Sequence, residues 1–247
     1  MPPGATAPRK RAALPQGESP VYALLEKPSM IDFPGHLCGV FFTSGCNFTC
    51  GFCHNATLMG RKQTGLSWER LAEICTRLKA QWVDAVCITG GEPTLAPDLI
   101  QLIEFFRSYG FKIKLDTNGS LPDVVAENLP LVDYVAMDAK CGLTGYPELV
   151  GFTRTENIKE SIRLIMESGV DYEFRTTVIE PFHTDTQMLE IGELIRGAKR
   201  YTLQPFIPQD TLPDLRLRET KRTTPDRLRE IEKLMKPFVQ ELIVRGA

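Results

Sequence analysis

A chain of 247 residues, 43% of them apolar, holds enough material for one large α/β domain with a full core. Its 29 Lys and Arg against 31 Asp and Glu leave a formal charge of −2, which excludes the strong imbalance of a nucleic-acid or membrane-surface binder. No apolar run reaches the ~18–20 residues that cross a bilayer, and Arg9-Lys10-Arg11 is not followed by the apolar core of a secretory signal. Seven cysteines, an odd number, argue for a reducing compartment over a disulfide framework, so the expected location is the cytoplasm.

Residues 1–20, rich in Pro, Ala and charge, read as a disordered tail, and 21–247 as a single domain. Pro28 to Gly35 reads as an approach loop to a first strand at 38–44. From there a strand, a turn and an amphipathic helix repeat. The further strands are Ala85 to Thr89, Phe111 to Leu115, Val132 to Met137, Tyr172 to Ile179 and Tyr201 to Phe206. The first helix presents Leu71, Ile74, Cys75 and Leu78 on one face, with Ser67 as its N-cap. The second has Pro97 in its first turn and Gly110 past its end. The third carries Ile158, Ile162 and Ile165 and stops at Gly169, and a fourth over 185–196 stops at Gly197. A short, weakly helical piece fills 121–129. Leu228, Ile231, Leu234, Met235, Phe238, Val239, Leu242 and Ile243 then recur at helical spacing, which predicts one long C-terminal helix over 225–245.

Six strand–helix units imply a parallel sheet with helices outside. They are too few for a closed eight-fold barrel. The expected fold is therefore a partial (β/α)6 TIM-like barrel, open on one side. Arg216, Arg218, Lys221, Arg222, Arg227 and Arg229 against Glu219 and Asp226 give six minus two, a local +4. That run reads as a solvated face, with contact to an acidic partner as its functional alternative.

The chemistry concentrates in Ser44-Gly45-Cys46-Asn47-Phe48-Thr49-Cys50-Gly51-Phe52-Cys53-His54-Asn55, where three cysteines stand at C-x3-C-x2-C directly after the first strand. Soft thiolates so close suit zinc or an iron–sulfur cluster. A structural zinc wants a fourth Cys or His. A four-iron cluster held by three cysteines leaves one iron without a protein ligand, where a small molecule can bind and take an electron. Gly90-Gly91-Glu92-Pro93, Asp116-Thr117-Asn118-Gly119 and Met137-Asp138-Ala139-Lys140 end the next three strands. Turn chemistry accounts for each segment singly. Three successive strands ending in charged or amide groups are also what a ligand site at one rim requires.

The cysteine triplet with Phe52 as its aromatic resembles the C-x3-C-x-aromatic-C signature of the radical S-adenosylmethionine (radical SAM) superfamily. The resemblance implies the radical SAM type of partial barrel, with a [4Fe–4S] cluster held by Cys46, Cys50 and Cys53 and S-adenosylmethionine chelated at the fourth iron. Reductive cleavage would then give a 5′-deoxyadenosyl radical. It also implies that Gly90, Gly91 and the Glu92 carboxylate accept hydrogen bonds from the substrate ammonium. Asp116, Thr117, Asp138 and Lys140 would lie beside the carboxylate and ribose. Arg175, on the fifth of the expected strands, is a candidate to pair with the carboxylate or with the substrate backbone. The Asp116 and Asp138 segments also resemble those of glycyl-radical-enzyme activases, which implies that Asp116, Thr117 and Asp138 would help hold a monovalent cation.

Cys53-His54-Asn55 and Ile31-Asp32-Phe33-Pro34-Gly35 narrow the resemblance to glycyl-radical-enzyme activases, nearest the branch that activates anaerobic ribonucleoside-triphosphate reductase. This implies hydrogen abstraction from a glycine of that partner and a low-potential electron donor such as flavodoxin or ferredoxin, with neither nucleic acid nor membrane involved. Pyruvate formate-lyase activases carry Asp-Gly-Pro-Gly in the approach loop, so Phe33 tilts the reading away from them. The alternatives are that activase type, a 7-carboxy-7-deazaguanine synthase-like enzyme, and a zinc-bound interaction module.

Overall fold

The computed structural model describes residues 14–59 and 64–246, so the first thirteen positions of the expected tail lie outside the described residues. Eight strands form one sheet in strict chain order: β1 (Val21–Leu24), β2 (Cys38–Thr43), β3 (Ala85–Gly90), β4 (Lys112–Thr117), β5 (Tyr134–Asp138), β6 (Asp171–Val178), β7 (Arg200–Pro205) and β8 (Glu241–Val244). β1 runs antiparallel to β2, and every later pairing is parallel. The helices are α1 (Trp68–Ala80), α2 (Leu99–Ser108), α3 (Pro122–Asn128), α4 (Tyr146–Val150), α5 (Thr155–Glu167), α6 (Asp185–Leu194), α7 (Leu215–Arg218) and α8 (Pro225–Met235). The order ends at β1 on one side and β8 on the other, so the barrel is open, as the six-unit pattern implied.

Strand alternation sorts the core into two layers. Phe41, Val86, Ile88, Ile113, Leu115, Val135 and Phe174 face outward and pack against Leu71, Ile74, Leu102, Phe106, Ile158 and Ile162 of the helices. Cys38, Val40, Ala85, Cys87, Tyr134 and Ala136 face inward. Phe33 of the approach loop plugs that interior where the strands begin, its ring 5.7 Å from Tyr134 and 4.6 Å from His36. Toward the other end of the strands the interior turns polar, and the functional residues lie there.

The local signals acted as expected at several helix ends. Ser67 Oγ accepts from the Arg70 amide and caps α1. Gly110, Gly169 and Gly197 all take positive φ just past α2, α5 and α6. Pro97, expected inside α2, precedes its cap residue Asp98 instead.

Three expectations are corrected. The helix over 225–245 stops at Met235, passes through a 3-10 turn at Lys236–Phe238 and gives way to β8. Pro237 lacks an amide hydrogen and its ring clashes with the preceding helical turn, so the helix cannot continue. Leu242 and Ile243 fit the helical period, but over four residues that period does not distinguish helix from strand, and they pair with Tyr201 and Thr202. Second, the expected six strands gain β1 and β8 at the edges. Third, the tail does not extend to residue 20. Glu18 bridges Ser67, and Ser19 is buried, its amide and hydroxyl both donating to the Leu66 carbonyl at 2.8 Å.

Within the basic run, Arg216 pairs with Asp214, Arg227 with Asp185 and Glu230, and Arg229 with Asp226. Its charge is largely met by the chain itself. No helix among the described residues is long and apolar enough to cross a membrane. Trp68 opens α1 fully buried, 5.1 Å from the Phe105 ring of α2, and ties the first two helices together. Trp68→Ala is expected to cost about 3–5 kcal/mol, read from urea unfolding.

Candidate functional site

A cavity of about 270 Å³ opens where the parallel strands end. All twelve residues singled out in the sequence line it: Cys46, Cys50, Phe52, Cys53, Gly90, Gly91, Glu92, Asp116, Thr117, Asp138, Lys140 and Arg175. Parallel pairing in sequential order brings them together, because the carboxyl ends of β2 to β5 then share one rim.

The loop after β3 is laced to the loop after β2 through backbone. The Gly91 amide donates to the Thr43 carbonyl at 2.9 Å, and the Glu92 amide to the Gly45 carbonyl at 2.8 Å. A Cβ on Gly91 would stand 2.0 Å from the Gly45 oxygen, so the approach admits only glycine there.

The cysteine loop is buttressed from below and from both sides. Phe48 packs 5.0 Å from the Phe152 ring, and the Thr49 amide donates to the Val150 carbonyl at 2.9 Å. His54 Nε2 lies 3.1 Å from the Ile207 carbonyl, and the Asp214 amide donates to the Gly51 carbonyl at 3.1 Å, so the loop after β7 closes the far flank. Phe52 is buried, with the Lys140 ammonium 5.7 Å from its ring centre.

Burial pushes all three thiols upward, Cys50 to about 12, while the Lys140 cation partly offsets this. A soft metal that binds here would displace the thiol protons. The thiols line one cavity, yet among the described residues no three His, Cys, Asp or Glu side chains close on a single metal ion. A cluster spreads its thiolates over separate irons, and Cys46, Cys50 and Cys53 form a donor set that would hold three irons of one.

Glu92 also ties the rim together. It is 1% exposed, and both of its oxygens are filled from within the chain. Oε1 accepts from the Thr94 amide (3.0 Å), the Thr94 hydroxyl (2.6 Å) and the Thr117 hydroxyl (2.8 Å), and Oε2 accepts from the Asn118 amide at 2.5 Å. Its carboxylate thus joins the β3 and β4 loops while lining the cavity. Burial raises the Glu92 carboxyl and these four donors oppose the rise. Asn118 carries the connection onward, its side-chain amide 3.0 Å from Asn47 Oδ1 and 3.9 Å from the Cys46 sulfur.

Opposite the cysteines runs an alternating chain of charge: Lys114, Asp116, Arg175, Asp138, Lys140. Lys114 was not anticipated. It is fully buried, pairs with Asp116 and lies 3.7 Å from the Cys87 sulfur. Its signal in the sequence is its spacing from Asp116: two residues apart on one strand, both face inward. Asn47, Thr177 and Gln204 also line the cavity or its flank without having been singled out. Burial by itself raises the Asp138 carboxyl, but Arg175 and Lys140 outweigh it and hold the group well below the usual carboxylate range.

Residues 40–195, more than half of the chain, match the radical SAM superfamily, and the chain belongs to it. It is 32% identical over 225 residues to the Methanocaldococcus jannaschii protein that carries the provisional name glycyl-radical enzyme activating enzyme MJ1227, a match spanning 88% of this chain and 92% of that one. The pyruvate formate-lyase-activating enzyme of Streptococcus mutans is 25% identical over 228 residues, or 83% and 86% of the two chains. 7-Carboxy-7-deazaguanine synthases are also among the relatives. Streptococcus suis SuiB bound to S-adenosylmethionine shares the fold with a TM-score of 0.65 at 17% identity, over 87% of this chain and 50% of that longer one. The chain is therefore a radical SAM enzyme, using the superfamily's [4Fe–4S] cluster and S-adenosylmethionine, and the zinc-module alternative is overturned.

Two outcomes follow from the geometry. Glu92→Ala strands four donors, two of them backbone amides, and should lower unfolding free energy by about 3 kcal/mol or more, measured on the metal-free chain. Because the Asp138 carboxyl is held low, its stabilisation is present at neutral pH and is lost as pH falls below 3.8. The melting temperature of the metal-free chain should therefore drop over that acid range, and Asp138→Asn should flatten the drop.

Proposed function

We propose that this enzyme activates a glycyl-radical enzyme, abstracting hydrogen from a backbone glycine, and that the partner is anaerobic ribonucleoside-triphosphate reductase. The observation that carries the reading is the size of the cavity. At about 270 Å³ it falls just below the ~300–1,000 Å³ of ordinary small-molecule pockets. A nucleoside-sized cofactor would take up most of that volume among the described residues, so in this reading the hydrogen donor enters through the mouth, as a loop of another protein can. The near full-length likeness to the Methanocaldococcus protein supports activation in general. Cys53-His54-Asn55 and Phe33 in the approach loop support the reductase as partner over pyruvate formate-lyase.

In this reading residues 21–247 act as one domain, and Cys46, Cys50 and Cys53 hold three irons of the cluster. The cluster and S-adenosylmethionine, when bound, supply the electron and the carbon radical. The chain's own residues bind and orient. The backbone of Gly90 and Gly91 faces the ammonium, and Glu92 fixes the loop that carries it. Lys140 and Arg175 meet the carboxylate, and Asp116, Thr117 and Asp138 frame that end of the pocket. Phe52 seals the loop beside Lys140. Reduction comes from a flavodoxin or ferredoxin, which places the work in the cytoplasm.

Anaerobically reconstituted, reduced enzyme is expected to release 5′-deoxyadenosine in step with a glycyl radical, seen by electron paramagnetic resonance, only when the reductase is added. The same yield with pyruvate formate-lyase would transfer the assignment to that partner. Consumption of a pterin with no protein partner present would replace it with deazaguanine synthesis.

A further inference from the structure

The carboxylates expected to share a monovalent cation are already neutralised by the chain. Asp116 accepts from Lys114 through Oδ1 and from Arg175 Nη1 through Oδ2 at 3.2 Å. Asp138 accepts from Arg175 Nε through Oδ1 at 2.9 Å and from Lys140 Nζ through Oδ2 at 2.8 Å. Thr117 Oγ1 donates to Glu92 at 2.8 Å and accepts from the Gly119 amide at 3.1 Å. A hard cation binds through several oxygens whose lone pairs face it. Every side-chain oxygen proposed for it here is engaged.

Charge points the same way. Asp116 and Asp138 already meet three cationic side chains, Lys114, Arg175 and Lys140, and a further cation between them would be repelled by these. Arg175 suits the position, because a guanidinium is always charged and its planar fork can meet two carboxylates at once. It reaches them from β6, whose register sets Arg175 opposite Asp138. The fit to a monovalent cation therefore fails, although the fit to the cluster holds.

We infer that Arg175 stands in the place of the monovalent cation, so that this enzyme binds S-adenosylmethionine without such an ion. The inference rests on the cofactor pocket and not on the partner. Binding measured with no partner present separates a failure of one from a failure of the other.

The test uses the reconstituted enzyme under anaerobic conditions. Equilibrium dialysis measures S-adenosylmethionine affinity in potassium chloride and in tetramethylammonium chloride of equal ionic strength, and thallium NMR reports directly on a bound monovalent ion. The unmodified enzyme should show affinities equal within about threefold and no bound thallium. Arg175→Gln should lose about tenfold or more in tetramethylammonium, regain part of it in potassium, and acquire a thallium site. Arg175→Lys, which keeps the charge but not the fork, should bind more weakly than the unmodified enzyme and remain indifferent to potassium. A larger potassium dependence or bound thallium in the unmodified enzyme overturns the inference, and so does a folded Arg175→Gln protein that gains neither. If Arg175→Gln does not fold, the unmodified enzyme decides the matter.

Discussion

One buried carboxylate connects the parts of the rim. Glu92 is buried at the cavity wall, and a carboxylate in that position is stabilised by the four donors that converge on it. Those donors come from its own loop and from the loop after β4. Asn118, fixed by its amide on Glu92, then reaches Asn47 and the Cys46 sulfur through its side chain. The cysteine loop, the double-glycine loop and the β4 loop are thus a single hydrogen-bonded unit. A shift in any one of them leaves a buried polar group unmatched, and that penalty keeps the cavity in shape before any cofactor enters.

The open barrel explains the charge chain on the other side. A closed barrel fills its interior with layers of branched apolar side chains. Here the interior is apolar where Phe33 plugs it and polar toward the rim, and Lys114, Asp116, Asp138 and Arg175 meet there in alternating sign. Each charge has a partner of opposite sign, the condition for keeping such groups away from water. The arrangement sets the Lys140 and Arg175 cations, each held by Asp138, at the wall of the pocket.

Much of the site was readable because its signals are local. Cys46, Cys50 and Cys53 are bound together by spacing within one loop, and the Gly90, Asp116 and Asp138 segments each sit where a strand-like run ends. A parallel sheet brings such ends to one rim, so the motifs predicted their own meeting. Helix ends at Ser67, Gly110, Gly169 and Gly197 were legible for the same reason, since a cap is settled by the residues next to it. The C-terminal stretch failed where locality runs out. Leu242 and Ile243 fit a helical period, and only the free edge of β7, far away in the chain, makes them a strand.

The sequence by itself determined the three-thiol loop, the order of the strands and the residues offered at their ends, because covalent spacing and periodicity fix these within a few positions. Tertiary structure alone decided which charges pair, that Lys114 points inward, that Glu92 is spent on Thr117 and Asn118, and that Arg175 lies between two carboxylates. Those outcomes depend on partners tens of residues away, whose distances are set by sheet register and packing.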